Sequence, residues 1–127
     1  MPKRSLETLS EPMFYVLMAL RRRTLCGVEI VHWIGETTGG RMALGPGTLY
    51  TILSKLTDEQ MIREVSVEGR KRTYRITDKG LEAYHAEQVR LRQCLTDAQR
   101  LENEEGRVCL NRKPEPSIDF RPVKAGT

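Results

Sequence analysis

Cysteine is scarce in this chain of 127 residues, which has only Cys26, Cys94 and Cys109. An odd, widely spaced set without a C-x-x-C pair favours a reducing compartment over a disulfide framework. The two histidines, His32 and His85, lie at no metal-ligand spacing from the cysteines or from each other. We therefore expect structural thiols, and we expect neither a metal site nor a cofactor.

Long apolar runs are also missing. The longest, residues 13–20, falls far short of the roughly 20 residues that a membrane helix needs. The basic cluster Arg21–Arg23 follows this run, whereas a signal peptide has its positive charge first. Apolar residues make up 39% of the chain, enough for a modest core of one domain plus a tail. These features predict a protein of the cytoplasm.

Signatures of catalysis are absent as well. Residues 40–45 have the glycine spacing of a phosphate-binding P-loop, but Pro46 and Gly47 stand where that motif requires Lys and Ser or Thr. The sequence contains no nucleophile elbow, HExxH motif or Cys/His pairing. Its adjacent carboxylates, at residues 58–59 and 104–105, are typical of solvated helix surfaces. We therefore expect that the chain is not an enzyme.

What the chain does have is localised positive charge. The formal net charge is +4, and residues 63–79 hold six basic side chains against three acidic ones. A second basic excess lies in residues 106–127. Such clusters are typical of a nucleic-acid footprint, although on charge alone a solvated loop is an equal alternative.

Helical periodicity predicts two short helices at the start. The first follows Ser10, which can cap it, and runs into Arg21–Arg23, whose charges suit a helix C-terminus. The second covers about residues 27–37 and ends at the glycine pair 39–40. Its inward residues are expected to be Val28, Val31 and Ile34.

A third helix has the sharpest start signal, Gly45-Pro46, because a proline at the first helical position loses no needed N–H. Leucine and isoleucine at residues 49, 52, 53 and 56 fall on one face. The opposite face is small, polar and rich in hydroxyls, so it could lie against another macromolecule. The residues that we expect to face the major groove of DNA are Thr48, Tyr50, Thr51, Ser54 and Lys55.

The period then changes from helical to alternating. Residues 62–68 and 72–77 form two β-branched, alternating runs around a turn that contains Gly69, which predicts a hairpin. Its tip carries Arg70, Lys71 and Arg72, whose charges suit phosphate. Three helices followed by a basic hairpin is the order of a winged helix-turn-helix.

A long helix is predicted from Asp78 to about Glu105, with a narrow stripe typical of paired helices. The stripe, our expected dimer interface, consists of Leu81, Tyr84, Gln88, Leu91, Leu95 and Ala98. The expected fold class is mainly α with a small β-hairpin. We divide it into a DNA-binding winged helix-turn-helix domain (1–77), a dimerisation helix (78–105) and a basic, proline-containing tail without regular structure (106–127).

Three segments resemble the PadR-like family of transcriptional regulators. They are Leu-Gly-Pro-Gly-Thr-Leu-Tyr at 44–50, Glu-Gly-Arg-Lys-Arg-Thr-Tyr at 68–74 and Ile-Thr-Asp-Lys-Gly at 76–80, and the similarity spans roughly residues 6–105. Two departures matter. Gly45 stands where the family usually has Ser or Thr, and Gln60 stands where the third helix usually ends in Gly. A left-handed Gln60 would carry about 1 kcal/mol of strain.

The resemblance implies a dimeric DNA-binding repressor, often released from DNA by a small molecule. We therefore expect a homodimer on a palindromic operator in a prokaryotic cytoplasm, associated with the nucleoid when bound. Its two third helices would lie about 34 Å apart, one DNA turn.

Two questions stay open at the level of sequence. Some relatives bind aromatic effectors at the dimer centre through an aromatic residue of the long helix. The candidate here is Tyr84, although packing explains both Tyr84 and Trp33 without a ligand. The rival function is a winged-helix protein-interaction module that does not bind DNA. Such a module would need no cationic run like Arg70–Arg72.

Overall fold

The computed structural model of the protein describes residues 9–109, with side chains as far as residue 105. Its elements are α1 (Glu11–Leu20), β1 (Leu25–Cys26), α2 (Gly27–Thr37), α3 (Pro46–Asp58), β2 (Ile62–Glu68), β3 (Lys71–Ile76) and α4 (Asp78–Cys109). The fold is rich in helix, with one three-stranded antiparallel sheet. The predicted winged-helix class, the three short helices, the hairpin and the long helix are confirmed.

The starts of α1 and α2 follow from local chemistry. The Ser10 hydroxyl accepts the backbone N–H of Met13 at 3.3 Å, which caps α1 as predicted. α1 ends at Leu20, and Arg21–Arg23 follow it. At α2 the Glu29 carboxylate accepts the backbone N–H of Cys26 at 2.9 Å. That hydrogen bond holds the pKa of Glu29 below its usual value, with smaller contributions from nearby cations.

The connection from α2 to α3 positions the third helix. Gly39 and Gly40 have φ of +62° and +84°, so the helix stops where the glycine pair predicts. The Thr38 hydroxyl donates to the Ile34 carbonyl at 2.8 Å and accepts the Met42 N–H at 3.1 Å. These bonds fix the path of the chain out of α2 before Pro46 begins α3.

The sheet has the strand order β1-β3-β2. β2 and β3 form the predicted hairpin, closed by a turn in which Gly69 has φ +62°. Sequence analysis missed β1, whose two residues pair with Tyr74 and Thr73 of β3. A strand this short has no alternation to detect.

The junction between the hairpin and α4 is tightly built. Gln60 has φ +63°, so it adopts the left-handed conformation, at which about 1 kcal/mol of strain is expected. The Thr77 hydroxyl donates to the Gln60 carbonyl at 2.7 Å and accepts the N–H of Gly80 at 3.0 Å, which caps α4. A Cβ on Gly80 would overlap the carbonyl oxygen of Met61, and it would lie 2.9 Å from Ile76 Cγ1. Only glycine permits this approach.

The core lies between the short helices and the base of the sheet. The largest fully buried side chains are Val16, Leu17, Leu20, Ile30, Ile34, Leu56 and Ile62. One inward prediction was wrong, because Val28 is 79% exposed. It lies in the first turn of α2, beyond the reach of the core that buries Ile30 and Ile34.

Tyr84 also lies elsewhere than predicted. It is 4% exposed, and its ring stacks on Phe14 with a centroid distance of 5.2 Å. Tyr84 is therefore part of the core of this chain and not an open position of the stripe. Leu81 is half-buried against the same core. The residues of the stripe do share one face of α4. The first part of that face, at Leu81 and Tyr84, is packed against the core of the chain.

The chain divides into two compact units, one up to Arg90 and one that begins at Leu91. In the second unit Leu91 and Leu95 are 41% and 58% exposed. The boundaries 1–77, 78–105 and 106–127 stay a prediction, and most of the predicted tail lies outside the described residues. None of the helices described is long and apolar enough to cross a membrane.

Candidate nucleic-acid interface

The outward face of α3 is exposed along its length. All five residues that the sequence predicts for the major groove are exposed: Thr48, Tyr50, Thr51, Ser54 and Lys55. Leu49, Ile52, Leu53 and Leu56 anchor the opposite face in the core, so the orientation of the helix is fixed by burial. Tyr50 is the largest group on the outer face and is 72% exposed.

One hydroxyl on this face already has a partner. Thr51 Oγ1 donates to the Gly47 carbonyl at 3.0 Å, within the helix. Its hydrogen is therefore engaged, and its oxygen retains lone pairs as an acceptor. In this conformation the Thr51 hydroxyl can therefore only accept a hydrogen bond from a bound molecule.

The N-terminus of α3 presents backbone donors. Gly45 occupies the N-cap position and provides no side-chain cap, as predicted. Pro46 has no N–H, so the first free donors are those of Gly47 and Thr48. Both residues are exposed. Such a helix end attracts an anionic group such as phosphate.

The tip of the hairpin places three cations next to each other. Arg70, Lys71 and Arg72 are all exposed. Arg70 follows Gly69 in the turn, while Lys71 and Arg72 begin β3. We call these three residues the wing cations.

One wing cation has an internal partner. Arg72 Nη1 lies 3.4 Å from Glu64 Oε1 on β2. The other carboxylate oxygen of Glu64 is buried and accepts no hydrogen bond among the described residues. Burial, and next the charge of Glu64, raise the pKa of the neighbouring Tyr74 above its usual value. Glu64 therefore competes with any external anion for Arg72, a role that sequence analysis missed because the register of a hairpin is not fixed by its pattern alone.

We call the β2–β3 hairpin the wing. A groove of about 700 Å³ lies between α3 and the wing. Its lining is mostly apolar and includes Val28 and Val31 of α2 and Leu49 and Leu53 of α3. Tyr50 and the wing cations line it as well. We call this space the wing groove.

The structure thus brings part of the predicted site together. Tyr50 and the wing cations share the wing groove, and Tyr50, Ser54 and Arg72 line a smaller crevice of about 180 Å³. Thr48, Thr51 and Lys55 lie on the same exposed helix without lining either space. All of them belong to the unit that ends at Arg90.

Comparison with protein families gives a match over residues 16–86 to the transcriptional regulator PadR-like family. The chain is also 35% identical over 78 residues to an uncharacterized 37.1 kDa protein in transposon Tn4556 of Streptomyces fradiae. That match covers 61% of this chain and 22% of the relative, so the chain spans about a fifth of the length of the curated relative it matches.

Several solved structures have a similar fold. RosR of H. salinarum has a TM-score of 0.58 at 22% identity, over 81% of this chain and 93% of that one. A PadR family transcription regulator of Clostridium difficile R20291 has a TM-score of 0.62 at 14% identity, over 72% and 98%. Bacillus subtilis PadR, solved in complex with operator DNA, has a TM-score of 0.53 at 22% identity, over 87% and 54%. At these identities the likeness shows the fold.

Proposed function

Because the chain belongs to the PadR-like family of transcriptional regulators, we propose that it represses transcription as a homodimer that binds a palindromic operator in a sequence-specific manner. The observation that carries this proposal is the exposed face of α3 beside the wing cations. A hydroxyl-rich helix and a cationic hairpin on one surface are the two parts that a winged helix uses on duplex DNA. We place this activity in a prokaryotic cytoplasm, at the nucleoid.

The two parts have different tasks in this proposal. The outward residues of α3 enter the major groove, where Thr51 and Ser54 contact base edges. The wing cations bind the flanking backbone, because charge attracts phosphate without reading sequence. The free N–H groups of Gly47 and Thr48 bind one further phosphate.

The homodimer is supported by the exposed leucines of α4. Leu91 and Leu95 stand one helical turn apart, a spacing typical of a paired-helix seam. Gln88 and Ala98 extend the same face. With Tyr84 buried and Leu81 partly covered, we propose that the seam consists of residues 88–98.

The direct test is a fluorescence-anisotropy titration of the purified protein against random-sequence duplex DNA from 50 to 200 mM salt. A fall in affinity of about 10³-fold or more would mean that several phosphates are neutralised. Absence of binding at 50 mM salt would contradict the proposal, and the protein-interaction alternative would then lead. A search of palindromes near its own gene would follow a positive result.

The wing can be tested separately. We expect Lys71→Ala to weaken binding to all sequences similarly and to reduce the slope of log affinity against log salt by about 0.9, the value for one lost phosphate contact, for each protomer whose wing contacts the duplex. Lys79→Ala is the matched control, since Lys79 is exposed at the start of α4, away from the hairpin tip. An unchanged slope in Lys71→Ala would remove the wing from the DNA interface.

A further inference from the structure

The face of the wing that points away from α3 carries two arginines side by side. Tyr74 lines the wing groove beside α3, and successive side chains of a strand point to opposite faces. Arg75 therefore lies on the outer face, and Arg63 is its direct partner across the two strands. Both arginines are exposed. The outer face is thus positively charged at the base of the hairpin.

This arrangement of the two arginines costs stability. Like charges directly opposite each other in an antiparallel pair are destabilising. In the part of the chain that the structure describes, neither Arg63 nor Arg75 forms a salt bridge with a carboxylate. An external anion bound between the two guanidinium groups would offset their mutual repulsion.

A β-bulge adds hydroxyl groups to the same face. In an unbroken register Val65 would lie opposite Thr73, but the bulge between Glu64 and Ser66 puts Ser66 there instead. Ser66 is exposed and Thr73 is half-buried. Thr73 lies two residues from Arg75, about 7 Å along β3, and both hydroxyls can donate to an oxyanion. We call four residues the outer patch: Arg63, Ser66, Thr73 and Arg75.

The position of the outer patch favours a partner protein over the duplex that α3 would bind. The patch faces away from α3, and Arg75 lies four residues, about 13 Å, behind Lys71 at the tip. A phosphate backbone that ran along this face to the tip would meet the negative charge of Glu68, which lies opposite Lys71. A protein segment can instead place its carboxylates at the arginines alone, and carboxylates form bidentate pairs with guanidinium groups.

We propose that the outer patch is a docking site for an acidic segment of a partner protein. Two carboxylates of that segment bind Arg63 and Arg75, and a neighbouring acceptor takes the hydroxyls of Ser66 and Thr73. Because the patch lies on the far side of the wing, docking leaves the exposed face of α3 accessible. Simultaneous binding of the partner and an operator rests on the proposed DNA-binding function, whereas docking itself does not.

The first experiment measures docking without DNA, by the fluorescence anisotropy of a labelled peptide of alternating Glu and Ser. The peptide is about ten residues long, which is ample to span the patch, and when extended it presents all its carboxylates on one face. The neutral peptide of alternating Gln and Ser is its counterpart and should bind much more weakly. Equal affinities for the two peptides, or no binding of the acidic one at about 1 mM, would overturn the proposal.

Single arginines locate the peptide. We expect Arg75→Ala to raise the Kd for the acidic peptide about fivefold, because one ion pair is lost. Arg92→Ala is the matched control, since it removes the same charge from an exposed position on α4. Equal weakening by Arg92→Ala would reduce the effect to net charge. Equal weakening by Arg70→Ala would place the peptide at the wing tip, and either result would contradict the assignment.

Arg63→Glu separates loss of the site from loss of the fold. The variant converts a like-charge pair into an opposite-charge pair with Arg75, so we expect the urea midpoint to rise while binding of the acidic peptide is lost. A lower midpoint would contradict the repulsion between the two arginines. Retained peptide binding would show that the acidic segment lies elsewhere.

The titration with duplex DNA distinguishes a partner protein from nucleic acid. We expect Arg75→Ala to leave the slope of log affinity against log salt unchanged, because the outer patch faces away from the duplex. A slope reduced by about 0.9 or more would make Arg75 a phosphate contact, and the proposal would be wrong. If the acidic peptide binds as expected and DNA does not bind at all, the proposed function fails while the docking site stands.

Discussion

At the scale of single residues, one carboxylate limits how far the wing is available to bind an anion. Glu64 carries a negative charge into a hairpin whose tip is otherwise positive, and its Oε1 lies 3.4 Å from Arg72 Nη1. The pair is partly exposed, so its own contribution to stability is small, about 0–1 kcal/mol. The pair also affects binding, since Arg72 must exchange the Glu64 carboxylate for a phosphate when it contacts DNA.

We therefore expect Glu64→Gln to strengthen binding to random-sequence DNA about two- to fivefold at 50 mM salt, because Arg72 loses its internal competitor. Anisotropy titrations measure the change. Glu68→Gln is the matched control, since it removes the same charge from the exposed end of β2. Equal gains in the two variants would mean that net charge, and not the pairing of Arg72, is responsible.

The sequence pattern predicts the outer face of α3, but it does not predict the side-chain hydrogen bonds of the site. The exposure of Thr48, Tyr50 and Ser54 follows from helical periodicity alone. The engagement of Thr51 with Gly47, and of Arg72 with Glu64, depends on rotamers and on strand register. The rotamer of Thr51 is a local choice within α3, and the register is set by the pairing of the two strands, so residue spacing fixes neither.

At the scale of elements, the junction before α4 is constrained by three close interactions. Gln60 is left-handed, Thr77 bridges two segments, and Gly80 contacts the Met61 carbonyl. The end of β3 and the first turn of α4 are thus held to the segment that follows α3.

We expect Gly80→Ala to lower the free energy of unfolding by about 2–3 kcal/mol, because the new methyl group overlaps the Met61 backbone. Urea denaturation measures the change. Gly35→Ala is the control, since Gly35 lies within α2 and an added Cβ would meet nothing within 4 Å. That variant should gain about 0.5–1 kcal/mol from reduced chain entropy. A neutral Gly80→Ala would contradict the close approach.

Sequence predicted the elements with clear end signals and failed where tertiary structure decides. Ser10, Gly45-Pro46 and Gly69 marked boundaries that the structure has. β1 escaped detection because its pairing partners lie more than forty residues away in the sequence. Tyr84 was misplaced because a residue packed on α1 and a residue facing a second chain have the same helical spacing.

At the scale of the whole molecule, the proposed dimer depends on the stripe of α4. We expect Leu95→Glu to convert a dimer to a monomer, because it places a charge in the centre of the proposed apolar seam. Sedimentation-velocity ultracentrifugation measures the change. Gln93→Glu is the control, since helical periodicity puts Gln93 on the opposite side of α4. A dimer that persists in Leu95→Glu would show that residues 88–98 are not the seam.

The short strand β1 has a mechanical consequence for the wing. β3 is paired on both edges at Thr73 and Tyr74, whereas toward the tip, at Arg72 and Lys71, it is paired with β2 alone. The hairpin is therefore held at the middle of β3 by the strand that leads into α2, and its tip is paired on one edge of β3 only. We therefore expect the tip to deform more easily than the part of β3 that is paired on both edges, which would let it adapt to the shape of a bound surface without displacing α3.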